Sequence, residues 1–61
     1  MRIVIAEDSV LLREGLTRVL AEFGHEVVEG LGDATRLLEV VEAHQPDLVI
    51  VDVRMPPTHT D

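Results

Sequence analysis

The feature that most constrains the fold is an apolar run that ends in an acid. Leu48–Val51 leads into Asp52 without an intervening polar residue, and Pro56 and Pro57 follow shortly after. Such a run is typical of a strand that is covered on both faces, as in the centre of a parallel sheet. Because ligands bind at the carboxyl ends of strands in open α/β sheets, Asp52 is predicted to lie at a functional edge.

The same arrangement occurs near the amino terminus. The first strand is predicted over Arg2–Ala6, and its apolar run Ile3–Ala6 leads directly into Glu7 and Asp8. If the two strands lie side by side, three carboxylates meet at one edge of the sheet.

Two amphipathic helices and one short strand are predicted between these runs. The first helix follows Asp8 or Ser9, both good N-caps, and ends at Gly24, where a left-handed C′ residue belongs. A strand is expected over 25–30 and a loop over 30–32. The second helix is predicted from Ala34 to about His44, capped by Asp33. The predicted core stripes of the two helices are Leu12, Leu16, Val19, Leu20 and Phe23, and then Leu37, Leu38, Val40 and Val41.

The resulting order is β-α-β-α-β. Alternation of this kind favours a parallel α/β sheet with right-handed crossovers. If the first strand lies between the other two, the helices cover opposite faces, as in a doubly wound sheet. The acids after the first and third strands then flank the topological switch point.

Composition excludes several classes of function. The 61 residues carry a net charge of −7, which argues against binding of nucleic acid or an anionic membrane by this segment. An apolar fraction of 46% is typical of a globular protein, and no run is long enough for a signal peptide or membrane span. The cytoplasm is the expected compartment. The chain contains neither cysteine nor lysine, and its five basic side chains other than histidine are all arginine.

Three converging carboxylates favour a hard divalent cation such as Mg²⁺. A carboxylate beside that ion can also attack phosphorus and form an aspartyl phosphate. Each acid has a simpler interpretation by itself: Asp8 as a helix cap, Glu7 as a solvated loop acid, and Asp52 as the polar end of a buried strand. Their placement after two neighbouring strands favours the shared site.

The residues Ile3–Asp8, the helix after them and the segment 47–56 with its Met-Pro ending resemble a two-component response regulator receiver domain. The resemblance covers the whole chain and implies a flavodoxin-like, doubly wound parallel sheet. The segments 2–15 and 55–60 are most similar to the subfamily whose second domain is a LuxR-type helix-turn-helix.

The resemblance implies specific roles. Asp52 would be the phosphoacceptor, with Asp8 as a direct Mg²⁺ ligand, Glu7 acting mostly through water, and the backbone carbonyl of Arg54 completing the ligands. A sensor histidine kinase would donate the phosphoryl group. It would dock on the first helix at Val10, Leu11, Glu14 and Gly15.

A receiver domain has two further strand-helix units, which supply a Ser or Thr and a Lys that respond to the phosphoryl group. We therefore expect residues 1–61 to be the amino-terminal part of a receiver domain, without the DNA-binding output domain and unable to switch alone. The apolar third strand would be a bare edge, which predicts a homodimer or higher self-association. The chain is expected to be a phosphoacceptor rather than an enzyme.

Two alternatives remain open. One is a Mg²⁺-dependent phosphohydrolase with an aspartyl nucleophile, although that family's Asp-x-Asp is absent because Ser9 and Val10 follow Asp8. The other is a self-assembling fragment without chemistry. His25, His44 and His59 lie in separate elements and are not predicted to bind metal.

Overall fold

A computed structural model of the protein describes residues 1–52 and contains one sheet with two helices. The elements in chain order are β1 (Arg2–Ala6), α1 (Val10–Glu22), β2 (Glu26–Leu31), α2 (Leu37–His44) and β3 (Leu48–Val51). The strand order is β2-β1-β3, and both pairs are parallel. The predicted α/β fold, with the first strand between the other two, is confirmed.

The central strand β1 forms the most buried part of the molecule. Ile3, Val4 and Ile5 are completely inaccessible to solvent, as is Ala6. Val4 and Ala6 pack with Leu31 of β2 and Val40 of α2. Because side chains alternate along a strand, Ile3 and Ile5 lie on the opposite face. Right-handed crossovers from a central strand place α1 over that face.

The pairing of β1 with β2 shifts by one residue part-way along the strands. Ile3 pairs with Val27, whereas Val4 pairs with Glu29, so β2 has one additional residue at Val28. A shift of one residue exchanges the two faces of a strand. Glu29 and Leu31 therefore share the α2 face with Val4 and Ala6, while Gly30 lies on the α1 face.

The ends of α1 follow from local sequence. Of the two candidate caps, Ser9 is the one that acts: its side chain accepts a hydrogen bond from the N–H of Leu12 at 3.2 Å. Gly24 has a φ of 85°, the left-handed conformation that glycine adopts without steric cost. The predicted end of this helix is confirmed.

The predicted burial of the α1 stripe is wrong for three of its five residues. Leu16 and Leu20 are half-buried, but Leu12, Val19 and Phe23 are exposed, Phe23 to 74%. The reason is the position of the helix: α1 packs against β2, an edge strand, so the described sheet does not cover all of its apolar face.

The segment between β2 and α2 also differs from the prediction. Leu31 is not in a loop; it ends β2 and is only 7% exposed. Asp33 does not cap α2, because its Oδ1 accepts the N–H of Thr35 at 2.9 Å in a turn, and the helix begins three residues later than predicted, at Leu37. Val40 is the buried residue of α2, whereas Leu38 is 72% exposed.

The amino-terminal edge of the sheet is held by contacts between β1 and the segment before β3. The N–H of Arg2 donates to Oδ2 of Asp47, and the N–H of Asp47 donates to the carbonyl of Arg2, both at 2.8 Å. His44 Nε2 lies 3.4 Å from Oε1 of Glu29. No helix within residues 1–52 has the length and hydropathy that a membrane crossing requires.

Candidate metal centre

The three predicted acids meet at the carboxyl edge of the sheet. Ala6 pairs with Val51 in the β1–β3 ladder, and the N–H of Asp52 donates to the carbonyl of Ala6 at 3.1 Å. This continuation of the ladder places Asp52 beside Glu7, the residue that follows β1. Adjacent parallel strands thus bring acids from the two ends of the chain to one place.

Carboxylate oxygens of Glu7, Asp8 and Asp52, one from each residue, all lie within 4.8 Å of one another. Their environments differ: Glu7 is buried and only 4% exposed, Asp52 is half-buried, and Asp8 is exposed. A cation bound between them would therefore contact the protein on one side and water on the other.

The crowding of these acids changes the pKa of Glu7. The N–H of Ser9, which donates to Glu7 Oε2 at 3.0 Å, lowers the pKa of Glu7, but burial and the neighbouring Asp52 and Asp8 carboxyls raise it. The net effect holds the pKa of Glu7 above its ordinary value. Like charges at close range favour the protonated form of one member, and a bound cation would remove that penalty.

The donor set fits a hard divalent ion. All the groups that converge here are carboxylates, and Mg²⁺ and Ca²⁺ prefer oxygen ligands. A Mg²⁺ site typically uses one or two carboxylates and retains several waters, which agrees with a cluster that is open to solvent at Asp8. The arrangement can hold a cation and keep an aspartate oxygen beside it. Arg54, the fourth predicted ligand, lies outside the described residues.

Comparison with known proteins identifies the family. The family model described as "Response regulator receiver domain" matches residues 3–59. This chain is a member of the response regulator receiver domain family. The resemblance inferred from the sequence is confirmed, and the fold and the strand-end acids are consistent with it.

Several curated relatives of this receiver chain are named as transcriptional regulators. The transcriptional regulatory protein PdtaR of Mycobacterium tuberculosis is 49% identical over 55 residues, which are 90% of this chain and 27% of that protein. The probable transcriptional regulatory protein NarL of the same organism is 40% identical over 57 residues, 92% of this chain and 26% of that protein. DegU of Brevibacillus brevis is 42% identical over 57 residues, 92% of this chain and 24% of that protein. The chain thus spans about a quarter of the length of these relatives.

The predicted docking residues of this receiver chain lie together on the first half of α1. Val10 is 61% exposed and Leu11 is 84% exposed, and Glu14 and Gly15 are also exposed. Residues three and four apart are neighbours on a helix surface, so these four positions form one continuous patch next to the acidic edge.

Two residues beside the acids were not predicted to matter. The guanidinium of Arg13 reaches from α1 and its Nη1 donates to the main-chain carbonyl of Glu7. Gly30 of β2 lies under this side chain. A glycine inside a strand is a signal of close backbone approach, but Gly30 was predicted to end the strand, and only the observed continuation to Leu31 places it inside β2.

Proposed function

We propose that this chain accepts a phosphoryl group on Asp52 with the help of Mg²⁺ and belongs to a response regulator that controls transcription. The observation that carries the proposal is the convergence of Glu7, Asp8 and Asp52 within 4.8 Å at the ends of two adjacent parallel strands. The family match favours this function over the phosphohydrolase alternative.

In the proposed reaction, an Asp52 carboxylate oxygen forms a bond to the phosphorus of a phosphohistidine. The bond from that phosphorus to the histidine nitrogen breaks at the same time. Asp8 and Glu7 would hold Mg²⁺, Glu7 mostly through water, and the bound ion would neutralise charge on the phosphoryl oxygens. The hydrogen bond from Ser9 N–H orients the Glu7 carboxylate. The hydrogen bond from the N–H of Asp52 to the carbonyl of Ala6 fixes the main chain of Asp52, the proposed nucleophile. Phosphoryl transfer depends mainly on such positioning and on charge stabilisation.

The proposed donor is a phosphohistidine on a sensor histidine kinase that docks on the patch of Val10, Leu11, Glu14 and Gly15. The exposed side chains of Val10 and Leu11 offer a small apolar surface. Gly15, which has no side chain, lets a partner approach the helix closely. Because this patch lies next to Asp8, docking there would bring the phosphohistidine to the candidate metal centre. Because such kinases use ATP, the cytoplasm is the proposed compartment.

We also propose that residues 1–61 are the amino-terminal part of a receiver domain. Its remaining strands would carry the Ser or Thr and the Lys that respond to the phosphoryl group. An output domain of the LuxR helix-turn-helix type would contact DNA. The relatives are named transcriptional regulatory proteins, which supports this proposal. The chain also spans only about a quarter of the length of these relatives.

The proposal is tested by incubating the intact protein with Mg²⁺ and a small phosphoryl donor such as phosphoramidate, and measuring the added phosphoryl group by mass spectrometry. Asp52→Asn should abolish incorporation. Asp47→Asn is the matched control, because Asp47 lies at the opposite end of β3 and contacts Arg2. Equal incorporation by the parent and Asp52→Asn would overturn the assignment.

A second proposed property is self-association through β3. Among residues 1–52, β3 pairs with β1 on one side, and its Leu48 and Val51 are each 41% exposed. An apolar edge strand is a template for pairing with another chain. Sedimentation of the 61-residue chain at several concentrations tests this, and a monomer throughout the micromolar range would contradict it.

A further inference from the structure

The side chain of Arg13 connects α1 to the end of β1. Arg13 is half-buried, and its Nη1 donates to the main-chain carbonyl of Glu7. Its own N–H donates to the carbonyl of Ser9 at 2.9 Å, within the first turn of the helix. One residue therefore contacts the turn over 7–9 at two places, and both contacts flank Asp8.

Gly30 provides the space that this side chain occupies. A Cβ at Gly30 would lie 3.1 Å from Cδ of Arg13, which is closer than most side chains pack, and 3.5 Å from its Cγ and Nε, which is an ordinary contact. A Cβ at Gly32 would lie 3.8 Å from Arg13 Nη1, an ordinary contact. A methyl group at position 30 would therefore displace the Arg13 side chain by a few tenths of an ångström, whereas one at position 32 would not.

The carbonyl that Arg13 contacts belongs to the peptide unit between Glu7 and Asp8. A peptide unit is planar, so fixing its carbonyl also fixes the direction in which the chain enters Asp8. The other side of Glu7 is already fixed, because its N–H donates to the carbonyl of Leu31 at 2.9 Å. Arg13 supplies the constraint between the two acids that precede α1.

We propose that Arg13 is a positioning residue for the divalent cation: it holds the Glu7–Asp8 peptide so that both carboxylates point to the metal. This inference rests on the proposed function, since it concerns the same Mg²⁺ site. Charged donors form the stronger class of hydrogen bonds. Groups that orient metal ligands from outside the coordination sphere typically change metal affinity by about 10- to 100-fold when they are removed.

Arg13 also has an opposite effect on the cation, because its positive charge repels Mg²⁺. The two effects predict opposite results for Arg13→Ala. Loss of positioning weakens Mg²⁺ binding, whereas loss of repulsion strengthens it. We expect positioning to dominate, because the contact with the carbonyl of Glu7 is direct.

The experiment is a Mg²⁺ titration of the intact protein, followed through the amide NMR signals of Asp8 and Ser9. Arg13→Ala should raise the dissociation constant for Mg²⁺ about 10-fold. Arg18→Ala is the matched control, since Arg18 is an exposed arginine on the same helix, and it should leave the constant unchanged. An unchanged or lower constant in Arg13→Ala would overturn the inference.

A double-variant cycle separates positioning from a contribution to folding alone. Gly30→Ala should weaken Mg²⁺ binding when Arg13 is present and have no further effect in Arg13→Ala, whose shorter side chain removes the clash. Gly32→Ala is the control for adding a methyl group nearby. Equal effects of Gly30→Ala in both backgrounds would refute the role of Arg13. If Arg13→Ala fails to fold, Arg13→Met replaces it, because methionine keeps much of the aliphatic stem and has no donor for the carbonyl of Glu7, and an unchanged constant there also counts against the inference.

A readout without metal distinguishes this inference from the proposed function. In the Mg²⁺-free protein, the carbonyl ¹³C shift of Glu7 should change in Arg13→Ala and Gly30→Ala, but not in Arg18→Ala or Gly32→Ala. Failure of the parent protein to bind Mg²⁺ refutes the proposed function, and the carbonyl shift still decides whether Arg13 positions the peptide. A parent and an Arg13→Ala variant that bind Mg²⁺ equally refute the inference alone.

Discussion

Leu31 and Leu38 offer a direct test of the packing in this sheet. Local sequence patterns place Leu31 in a loop and Leu38 on the apolar stripe of α2, so they predict that Leu38→Ala is the more harmful change. The structure reverses the order: Leu31 is 7% exposed and packs with Val4, Ala6 and Val40, whereas Leu38 is 72% exposed. Both substitutions remove the same atoms, so burial is the main difference between them.

The expected magnitude for Leu31→Ala follows from that burial. Replacing a core leucine with alanine typically costs about 2–5 kcal/mol, from the lost transfer free energy and the cavity that remains. Leu31 ends an edge strand, where neighbours can partly relax, so we expect a loss of about 3 kcal/mol in the free energy of unfolding. Leu38→Ala should change it by less than about 0.5 kcal/mol, as is usual for surface substitutions.

Urea unfolding of the intact protein without Mg²⁺ measures both changes. With a slope of about 2 kcal/mol per molar urea, a loss of about 3 kcal/mol lowers the midpoint by about 1.5 M. Leu38→Ala should leave the midpoint within about 0.3 M of the parent. Equal shifts for the two variants, or a larger shift for Leu38→Ala, would refute the assignment of Leu31 to the core.

Three further predictions concern the acidic edge and β3. The N–H of Ser9 lowers the pKa of Glu7, but burial and the neighbouring carboxyls raise it overall, so stability present at low pH should be lost as pH rises through that raised pKa. Thermal unfolding without Mg²⁺ between about pH 4 and 7 should show this loss, and Glu7→Gln should reduce it; an equal pH dependence in the variant would contradict the cause. Ser9→Ala removes the side-chain cap of α1 and should lower the free energy of unfolding by about 1 kcal/mol in urea, while Ser9→Thr should retain most of it; no loss in Ser9→Ala would count against the cap. Leu48→Lys should reduce self-association in sedimentation experiments, because a charged edge resists strand pairing; an unchanged mass, or an equal reduction in Leu38→Lys on α2, would exclude β3 as the interface.

The placement of the acids was predictable because it depends on strand ends alone. An apolar run with an acid directly after it specifies both the strand and the edge at which its acid lies, and Arg2–Ala6 was predicted with the observed bounds. Once β1 lies between β2 and β3, Glu7 and Asp52 are neighbours whatever the helices do. The exposed residues of α1 were mispredicted because helical periodicity shows which face is apolar, not what covers it. Phe23 belongs to that face and is still 74% exposed.

The surroundings of Glu7 were not predictable, because they depend on the one-residue shift at Val28. Regular alternation after Val27 would place Leu31 on the α1 face and Gly30 on the α2 face. The shift exchanges them, so that Leu31 joins the core below α2 and Gly30 lies under Arg13. The sequence pattern of β2, with two adjacent valines, is compatible with either register. A single additional residue in an edge strand therefore decides whether an arginine from α1 can reach the carbonyl of Glu7. The acids follow from local sequence, but the contact proposed to position them requires α1, β2 and the end of β1 to assemble together.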